Sequence, residues 1–345
     1  MKLYIIRYFF PALFAISVYV LLDTFVIPHE ISRIETVTEN SEFDSGQQNQ
    51  SLTDKPGIDD ISETGDNARD GVSESEDISN DVRQTDSAGR DNDDISSVDD
   101  IYTDNSYQDN NISINITTQV YDDTTVYIAD IVLNNAGYLK TALADDTFGT
   151  NITEKTSTQA ESKNAILAVN GDFYGADKKG YVIKNEVVYR DSVRDDSEYD
   201  DLAAYADGSF EIINEENISA QQLVDNGVVQ LFAFGPALVE NGQIVVDENT
   251  EVGKAMASNP RTAIGIIDEL HYIFVVADGR SSESEGLSIY ELAQLMKSYG
   301  CEVAYNLDGG GSSTMYFNGQ VINKPTTNGH SFKEREVSDI VYIGY

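Results

Sequence analysis

The stretch that decides the fold runs from residue 303 to residue 319 and reads VAYNLDGGGSSTMYFNG. Its pattern predicts a buried strand, an acid (Asp308) where the strand ends, a run of glycines and a second strand. Glycines leave backbone N–H groups bare, and successive N–H groups can form a concave nest for an anion without any basic side chain. A tight hairpin turn or bulge is the alternative, which a glycine run alone favours. The anion nest would use the N–H groups of Gly309, Gly310, Gly311 and Ser312.

Two other predicted strands end in the same way. Residues 170–172 (NGD) end an apolar run that starts at Ala165, and residues 278–279 (DG) end a run that starts at Leu270. An acid beside a glycine is ordinary turn chemistry when it occurs once. Three such strand ends, together with an arginine predicted at the same edge, favour an active site over three unrelated turns.

The position of that arginine follows from a predicted hairpin. Residues 261–267 and 270–277 are apolar strands joined by a short acidic loop, which predicts an antiparallel pair. If the loop has two residues, Arg261 lies opposite Val276. The Arg261 side chain is therefore expected at the same end of the hairpin as Asp278.

A predicted helix connects this hairpin to the glycine stretch. Ser288 and Glu291 have capping-box spacing, apolar residues then repeat at helical intervals, and Gly300 is a fitting end. Strand, helix and strand predict a right-handed crossover between two parallel strands. Because parallel strands end on one edge, Asp278 and Asp308 are expected on the same rim of the sheet.

Five motifs, in this order, resemble the phosphodiester glycosidase family. They are residues 170–174 (NGDFY), 259–265 (NPRTAIG), 278–280 (DGR), 306–314 (NLDGGGSST) and 335–338 (REVS). The resemblance covers about residues 120 to 345. It implies a mixed α/β domain that hydrolyses a sugar linked through its anomeric carbon to a phosphodiester. With the hairpins and the crossover, the predicted fold class is α+β, with a twisted sheet of mixed parallel and antiparallel strands and few flanking helices.

The leaving group suggests how the phosphate would be bound. Phosphate is already a good leaving group, so stabilising its developing negative charge matters more than protonating it. Our hypothesis is that the glycine N–H groups and Arg261, as a bidentate partner, bind the phosphate. Arg335 is either a second cation at the site or half of a salt bridge with a neighbouring acid.

The remaining roles belong to carboxylates and amides. One carboxylate would stabilise the oxocarbenium-like centre and activate water. The candidates for this role are Asp172, Asp278 and Asp308. Asn170 and Asn306 would position sugar hydroxyl groups.

The first 110 residues differ in composition from the rest of the chain. Residues 8–22 carry no charge and, with their apolar neighbours, approach the length of a spanning helix. Basic residues precede this run and acidic residues follow it, so residues 1–30 are predicted to be an uncleaved single-pass anchor with a cytoplasmic N-terminus. A signal peptide is the alternative. Residues 31–110 are acidic and poor in apolar residues, which predicts a disordered linker. Residues 111–345 would then be an extracellular catalytic domain on a cell membrane.

Charge and composition limit the partners. The formal net charge of -38 argues against nucleic acid as a partner. One cysteine and three scattered histidines cannot supply a zinc site, and nothing in the sequence indicates a cofactor.

Three function classes stay open. The first is a hydrolase that cleaves the glycosidic C–O bond of a sugar-1-phosphodiester in a wall, capsule or exopolysaccharide polymer. The second is a module that binds an anionic surface polysaccharide without cleaving it. The third is a phosphodiesterase whose acids hold a divalent cation and which cleaves a P–O bond.

Overall fold

The computed structural model of the protein describes residue 18 and residues 26–31, 101–194, 200–252 and 258–345. All of these residues belong to one compact unit, which comprises residues 1–35 and 98–345. Strands dominate its secondary structure. The α-helices with bounds among the described residues are α1 (Thr156–Ser162), α2 (Ala220–Asp225) and α3 (Ile289–Ser298), and short 3₁₀-helices occur at Ala136–Tyr138, Ala144–Asp146, Tyr174–Ala176 and Gly310–Ser312.

The strands are numbered in chain order. They are β1 (His29–Glu30), β2 (Ile101–Tyr102), β3 (Ser106–Gln108), β4 (Ile112–Tyr121), β5 (Thr124–Leu133), β6 (Leu139–Leu143), β7 (Gly149–Thr150), β8 (Leu167–Asn170), β9 (Val182–Lys184), β10 (Val187–Arg190), β11 (Asp201–Tyr205), β12 (Phe210–Ile213), β13 (Val228–Phe232), β14 (Ala237–Glu240), β15 (Gln243–Ile244), β16 (Arg261–Asp268), β17 (His271–Ala277), β18 (Val303–Asn306), β19 (Met315–Phe317), β20 (Gln320–Val321) and β21 (Asp339–Ile343).

These strands form four sheets. The largest has nine strands in the order β15-β14-β18-β16-β17-β5-β4-β3-β2. Two sheets have five strands each, in the orders β10-β9-β13-β11-β12 and β20-β19-β8-β21-β6, and β1 pairs with β7 alone. Every ladder between these strands is antiparallel.

The nine-stranded sheet separates two apolar layers, because successive residues of a strand face opposite sides. On β17, Tyr272, Phe274 and Val276 pack into a core that also contains residues of the two five-stranded sheets. Ile273 and Val275 face the other way and pack against α3. The continuous apolar run of β17 therefore buries both faces of the strand.

Helix α3 begins and ends as its sequence predicts. Ser288 Oγ accepts a hydrogen bond from the Glu291 N–H, and the Glu291 carboxylate accepts one from the Ser288 N–H. Gly300 follows the helix with a φ of 84°. Leu292 and Met296 are fully buried on the face that packs against the sheet.

The predicted fold class is wrong, because the protein is mostly β and its sheets are antiparallel. The prediction made β17 and β18 parallel strands joined by a right-handed crossover. In the structure, β16 lies between them and pairs antiparallel with both. β17 and β18 therefore run in the same direction without contacting each other through a ladder. Asp278 and Asp308, which follow these two strands, still leave the sheet at one edge.

The β16–β17 hairpin differs in register from the prediction. Arg261 pairs with Ala277 instead of Val276. The turn forms one residue later than predicted, at Glu269-Leu270, and a bulge adjoins it. Arg261 nevertheless lies at the predicted end of the hairpin.

The predicted membrane anchor is corrected as well. Among the residues that the structure describes, no helix is long and apolar enough to cross a membrane. Most of the predicted anchor at 1–30, and of the predicted linker at 31–110, lies outside the described residues. The single-pass topology, the membrane as a partner and the extracellular location depended on that anchor and are not retained.

Two short parts of the first 110 residues are described, and both contact the folded unit. β1 pairs with β7, and the Ile31 N–H donates to Phe148 O at 2.9 Å. β2 and β3 extend the nine-stranded sheet beyond β4. Strands therefore begin before residue 111, within the range that the sequence predicted as linker.

Candidate active site

The candidate site lies at the edge where β16 begins and where β17 and β18 end. Arg261 is the first residue of β16. Leu307, the residue after β18, donates its N–H to Thr262 O at 2.9 Å. This contact continues the β16–β18 pairing past the end of β18, and it brings Asp308 to the same edge as Arg261.

Asn170, the last residue of β8, connects this edge to the neighbouring five-stranded sheet. Its Nδ2 donates to Asp308 O at 2.6 Å, and its Oδ1 accepts from Thr262 Oγ1 at 2.8 Å and from the Thr314 N–H at 3.2 Å. The side chain is fully buried. Asn170 therefore fixes the backbone that carries Asp308, and these contacts occupy the amide that was predicted to position a sugar.

A cavity of about 190 Å³ at this edge combines a cationic wall with an apolar one. Its charged lining residues, among those described, are Arg261, Arg280, Arg335 and Asp308, and its apolar wall includes Phe234 and Val252. The whole chain carries a formal net charge of -38, so three guanidinium groups around one small cavity create a local field of the opposite sign. Such a cavity is suited to an anion.

Arg335 and Asp308 form an ion pair in this cavity. Arg335 Nη2 donates to Asp308 Oδ2 at 2.9 Å, and Arg335 Nε donates to Ser312 Oγ at 2.8 Å. Burial raises the pKa of the Asp308 carboxyl, while Arg335, the Ser312 hydroxyl and the Gly309 N–H oppose this rise. Arg335 thus both pairs with an acid and lies at the site, so the two alternatives for it hold together.

Arg261 contributes a second, more deeply buried guanidinium. Its side chain is 4% exposed, and its Nε donates to Leu287 O at 2.8 Å. Burial, and next the positive charge of Arg280, lower the pKa of Arg261 to about 10. Arg261 is therefore still cationic at neutral pH, but its charge is destabilised by its surroundings.

Arg280 contributes the third guanidinium, although it was not among the predicted site residues. Its Nη2 donates to Asn259 Oδ1 at 2.8 Å, and its Nη1 donates to Thr327 O at 2.8 Å. Burial, and next the charge of Arg335, lower its pKa. Because neighbouring guanidinium groups repel one another, an anion between them would stabilise all three.

The glycine loop brings backbone close to these arginines, but part of the predicted nest is occupied. The Gly310 N–H donates to Pro260 O at 2.8 Å, and the Ser312 N–H donates to Gly309 O at 3.3 Å. Gly310 has a φ of 61°, and a Cβ at this position would lie 2.8 Å from Arg280 Nη2. The glycines therefore permit close approach, and the arginines provide most of the donors for an anion.

Asp172 belongs to a buried charge cluster outside the cavity lining. Lys184 Nζ lies 3.0 Å from Asp172 Oδ2 and 2.9 Å from Asp339 Oδ2, and all three side chains are buried. Burial, and next the charge of Asp172, raise the pKa of Asp339 to about 7, against the effect of Lys184. A Cβ on Gly171 would lie 2.3 Å from the Asp339 carboxyl, so only glycine fits this turn.

Asp278 lies in a separate, smaller cavity of about 50 Å³. Its Oδ1 accepts from Asn323 Nδ2 at 3.1 Å and from the Lys324 N–H at 2.9 Å. Burial raises its pKa, and these hydrogen bonds oppose the rise. Of the three candidate carboxylates, Asp308 is the one that lines the cavity with the arginines.

A protein-family model described as phosphodiester glycosidase matches residues 163–344, which is more than half of the chain. The chain belongs to the phosphodiester glycosidase family. The family resemblance found in the sequence is thereby confirmed, and with it the prediction that the chain is a member of a family of hydrolases.

Individual relatives match this chain only in part. The SPbeta prophage-derived protein YomE of Bacillus subtilis (strain 168) is 30% identical over 203 residues, which cover 57% of this chain and 31% of YomE. The mouse N-acetylglucosamine-1-phosphodiester alpha-N-acetylglucosaminidase is 32% identical over 123 residues, which cover 32% of this chain and 24% of the mouse protein. The matched regions thus span about a third or less of these relatives.

A solved structure shares the fold. The catalytic domain of the zebrafish N-acetylglucosamine-1-phosphodiester alpha-N-acetylglucosaminidase superposes with a TM-score of 0.54 at 22% identity, covering 68% of this chain and 83% of that one. At this identity the match shows a common fold.

Four residues that line the cavity were not predicted as site residues from the sequence, namely Phe234, Val252, Asn259 and Arg280. Arg280 carried a signal, because it directly follows the acid and glycine that end β17. Phe234 carried none, since it lies on a loop between two sheets and its approach to the cavity depends on distant contacts. Among the described residues, no group of three His, Cys, Asp or Glu side chains is placed to hold a metal ion.

Proposed function

We propose that the chain hydrolyses the glycosidic C–O bond of a sugar-1-phosphodiester, in a glycoconjugate or in a wall, capsule or exopolysaccharide polymer. The observation that carries this proposal is the convergence of Arg261, Arg280 and Arg335 with the single carboxylate of Asp308 in one small cavity. Membership of the phosphodiester glycosidase family supports the same reaction class.

The arginines bind the phosphodiester in this proposal. Cleavage of the C–O bond leaves the bonding electron pair on a phosphate oxygen, so negative charge grows there in the transition state. Guanidinium groups donate two parallel hydrogen bonds to such oxygens. Losing one preorganised donor typically costs about 3 to 4 kcal/mol of transition-state stabilisation, and Arg261→Ala should cost at least that.

Asp308 acts at the anomeric carbon. As a carboxylate it stabilises the positive charge of the oxocarbenium-like transition state and accepts a proton from the attacking water. The water oxygen bonds to the anomeric carbon, and the phosphomonoester departs with the electron pair of the broken bond. Burial raises the pKa of Asp308 and makes it a better proton acceptor, while Arg335 keeps it ionised.

An isotope experiment on the full chain tests this proposal. The chain is incubated in H₂¹⁸O with the benzyl phosphodiesters of glucose 1-phosphate and N-acetylglucosamine 1-phosphate, and the products are read by mass spectrometry. We expect free sugar together with benzyl phosphate that lacks ¹⁸O, and the benzyl phosphate decides the outcome because the anomeric oxygen of a free sugar exchanges with water. Asp308→Asn should lower the rate by roughly 100-fold or more. Lys297→Gln, an exposed charge change on α3, should leave the rate unchanged.

The other two function classes predict different products. Label in the phosphate would show P–O cleavage and overturn the proposal, whether it appears in benzyl phosphate released with free sugar or in sugar phosphate released with benzyl alcohol. Binding without any product would favour the polysaccharide-binding module. An Asp308→Asn chain as active as wild type would remove Asp308 from the mechanism.

A further inference from the structure

Phe234 is the aromatic residue among the described residues that line the arginine cavity. It lies on the loop at 233–236, which leaves one five-stranded sheet at the end of β13 and enters the nine-stranded sheet at β14. Its side chain is half-buried and packs against the main core. One part of the ring therefore belongs to the core, and another part faces the cavity.

The backbone around Phe234 is fixed by buried side chains. The N–H of the preceding residue donates to Asp172 Oδ2 at 3.1 Å, and the N–H of Phe234 itself donates to Tyr305 Oη at 3.0 Å. The C=O of the following residue accepts from Asn306 Nδ2 at 2.7 Å. Asp172, Tyr305 and Asn306 are each at most 1% exposed. The ring thus has a preorganised position.

We propose that Phe234 is the surface on which the sugar ring of the substrate stacks, and that Tyr305 positions it; this inference rests on the proposed function. The guanidinium groups attract the phosphate, whereas the face of an aromatic ring carries partial negative charge and disfavours an anion. The C–H groups of a sugar ring are apolar and slightly positive, so they fit against that face. Val252 extends the apolar wall on the same cavity.

This assignment gives two of the predicted site residues a different role. Asp172 and Asn306 are buried and bind the backbone on either side of Phe234. They act through the loop at 233–236, as positioning residues, without contacting the sugar. The substrate then lies with its sugar towards Phe234 and its phosphate towards Arg261 and Arg280.

Binding measurements separate the sugar contact from the phosphate contact. The full chain is titrated calorimetrically with inorganic phosphate, glucose 1-phosphate and N-acetylglucosamine 1-phosphate. We expect at least one sugar phosphate to bind wild type more tightly than phosphate does. Phe234→Ala should weaken that sugar phosphate by about fivefold or more and leave inorganic phosphate within about twofold. Phe234→Tyr should retain the preference for the sugar phosphate.

Tyr305→Phe tests the positioning role. It removes the hydroxyl that accepts the Phe234 N–H and donates to Asp200 O at 3.0 Å, and it keeps the buried ring. We expect a smaller loss of sugar-phosphate affinity of the same kind, with inorganic phosphate unaffected. An equal loss for both ligands would indicate a general change of the cavity and overturn this role.

Each remaining outcome has a distinct meaning. If Phe234→Leu binds the sugar phosphate as well as wild type does, the ring only fills space, and stacking is overturned. If wild type gains nothing from either sugar but binds inorganic phosphate, stacking is overturned and the phosphate site stands. If wild type binds none of the three ligands, the proposed function itself fails.

Discussion

Arg335 Nη2 lies 2.9 Å from Asp308 Oδ2, and the two residues come from loops 27 residues apart in the chain. Asp308 is 7% exposed, so its charge is removed from water and depends on this partner. The same guanidinium borders the cavity that Arg261 and Arg280 line. Arg335 therefore couples the ionisation of the carboxylate to the binding of an anion.

Replacing Arg335 should shift the pH dependence of the reaction. Burial raises the pKa of Asp308 and Arg335 opposes this rise, so Arg335→Gln should raise that pKa further. Because the ionised carboxylate is the active form, the acid limb of kcat/KM should move to higher pH. Arg335→Lys keeps the charge and should shift the limb less. A uniform loss of activity at all pH values would mean that Arg335 acts on the phosphate alone.

Replacing Arg261 by lysine should make the binding of a phosphodiester weaken as the pH becomes alkaline. The environment of Arg261 lowers its pKa to about 10, and a lysine begins from about 10.4, some two units below arginine. The same environment would therefore bring a lysine at this position towards a neutral pKa. We expect the KM of Arg261→Lys for a phosphodiester to increase between pH 6 and pH 9.

The wild-type chain is the control for that experiment. A phosphodiester keeps one negative charge over this range, so its own titration does not interfere, and the wild-type KM should stay nearly constant. If the KM of Arg261→Lys changes with pH no more than the wild-type KM does, the lysine keeps its proton over this range. Its pKa would then not be lowered towards neutral, and the prediction would be wrong.

The strand ends of the site could be predicted from sequence because they depend on local signals. The capping box of α3, the apolar run of β17 and the acid–glycine pairs all act over a few residues. They placed Arg261, Asp278 and Asp308 at one edge. The insertion of β16 between β17 and β18 is a matter of strand order, which no local pattern encodes.

The separation of the three acids could not be predicted, because it depends on partners far along the chain. Asp172 pairs with Lys184, which in turn pairs with Asp339. Asp278 accepts from Asn323, 45 residues later. The Gly310 N–H was expected to face an anion, but it donates to Pro260 O. In each case a tertiary contact satisfies a group that the sequence left open.

The Asp339 cluster should make stability depend on pH. Its folded-state pKa of about 7 lies above 3.8, the ordinary value for an aspartate, so the folded chain holds a proton between these values that the unfolded chain releases. The free energy of unfolding should therefore fall as the pH rises from about 4 to about 7. Asp339→Asn, which keeps the Lys184–Asp172 pair, should flatten this slope in urea denaturation.

Comparing the wild type with Asp339→Asn shows which group causes the pH dependence of the free energy of unfolding. A slope that is smaller by a few kcal/mol over this range in Asp339→Asn than in the wild type assigns the proton to Asp339. An identical slope in both proteins would place the proton elsewhere. A free energy of unfolding that falls more steeply with pH in Asp339→Asn than in the wild type would contradict the raised pKa of Asp339.

Alanine substitutions at two glycines with positive φ, Gly310 and Gly319, distinguish the cost of backbone strain from an effect on phosphate binding. A Cβ on Gly310, at a φ of 61°, would lie 2.8 Å from Arg280 Nη2, whereas one on Gly319, at a φ of 84°, would meet no atom within 4 Å. Alanine at either position should cost about 1 kcal/mol in backbone strain. Only Gly310→Ala should also displace the Arg280 guanidinium, which Asn259 and Thr327 hold in place. We therefore expect similar losses of Tm, with a raised KM for the phosphodiester in Gly310→Ala alone. Equal KM values would mean that neither the added methyl group in the cavity wall nor a displaced Arg280 guanidinium affects the binding of the phosphate.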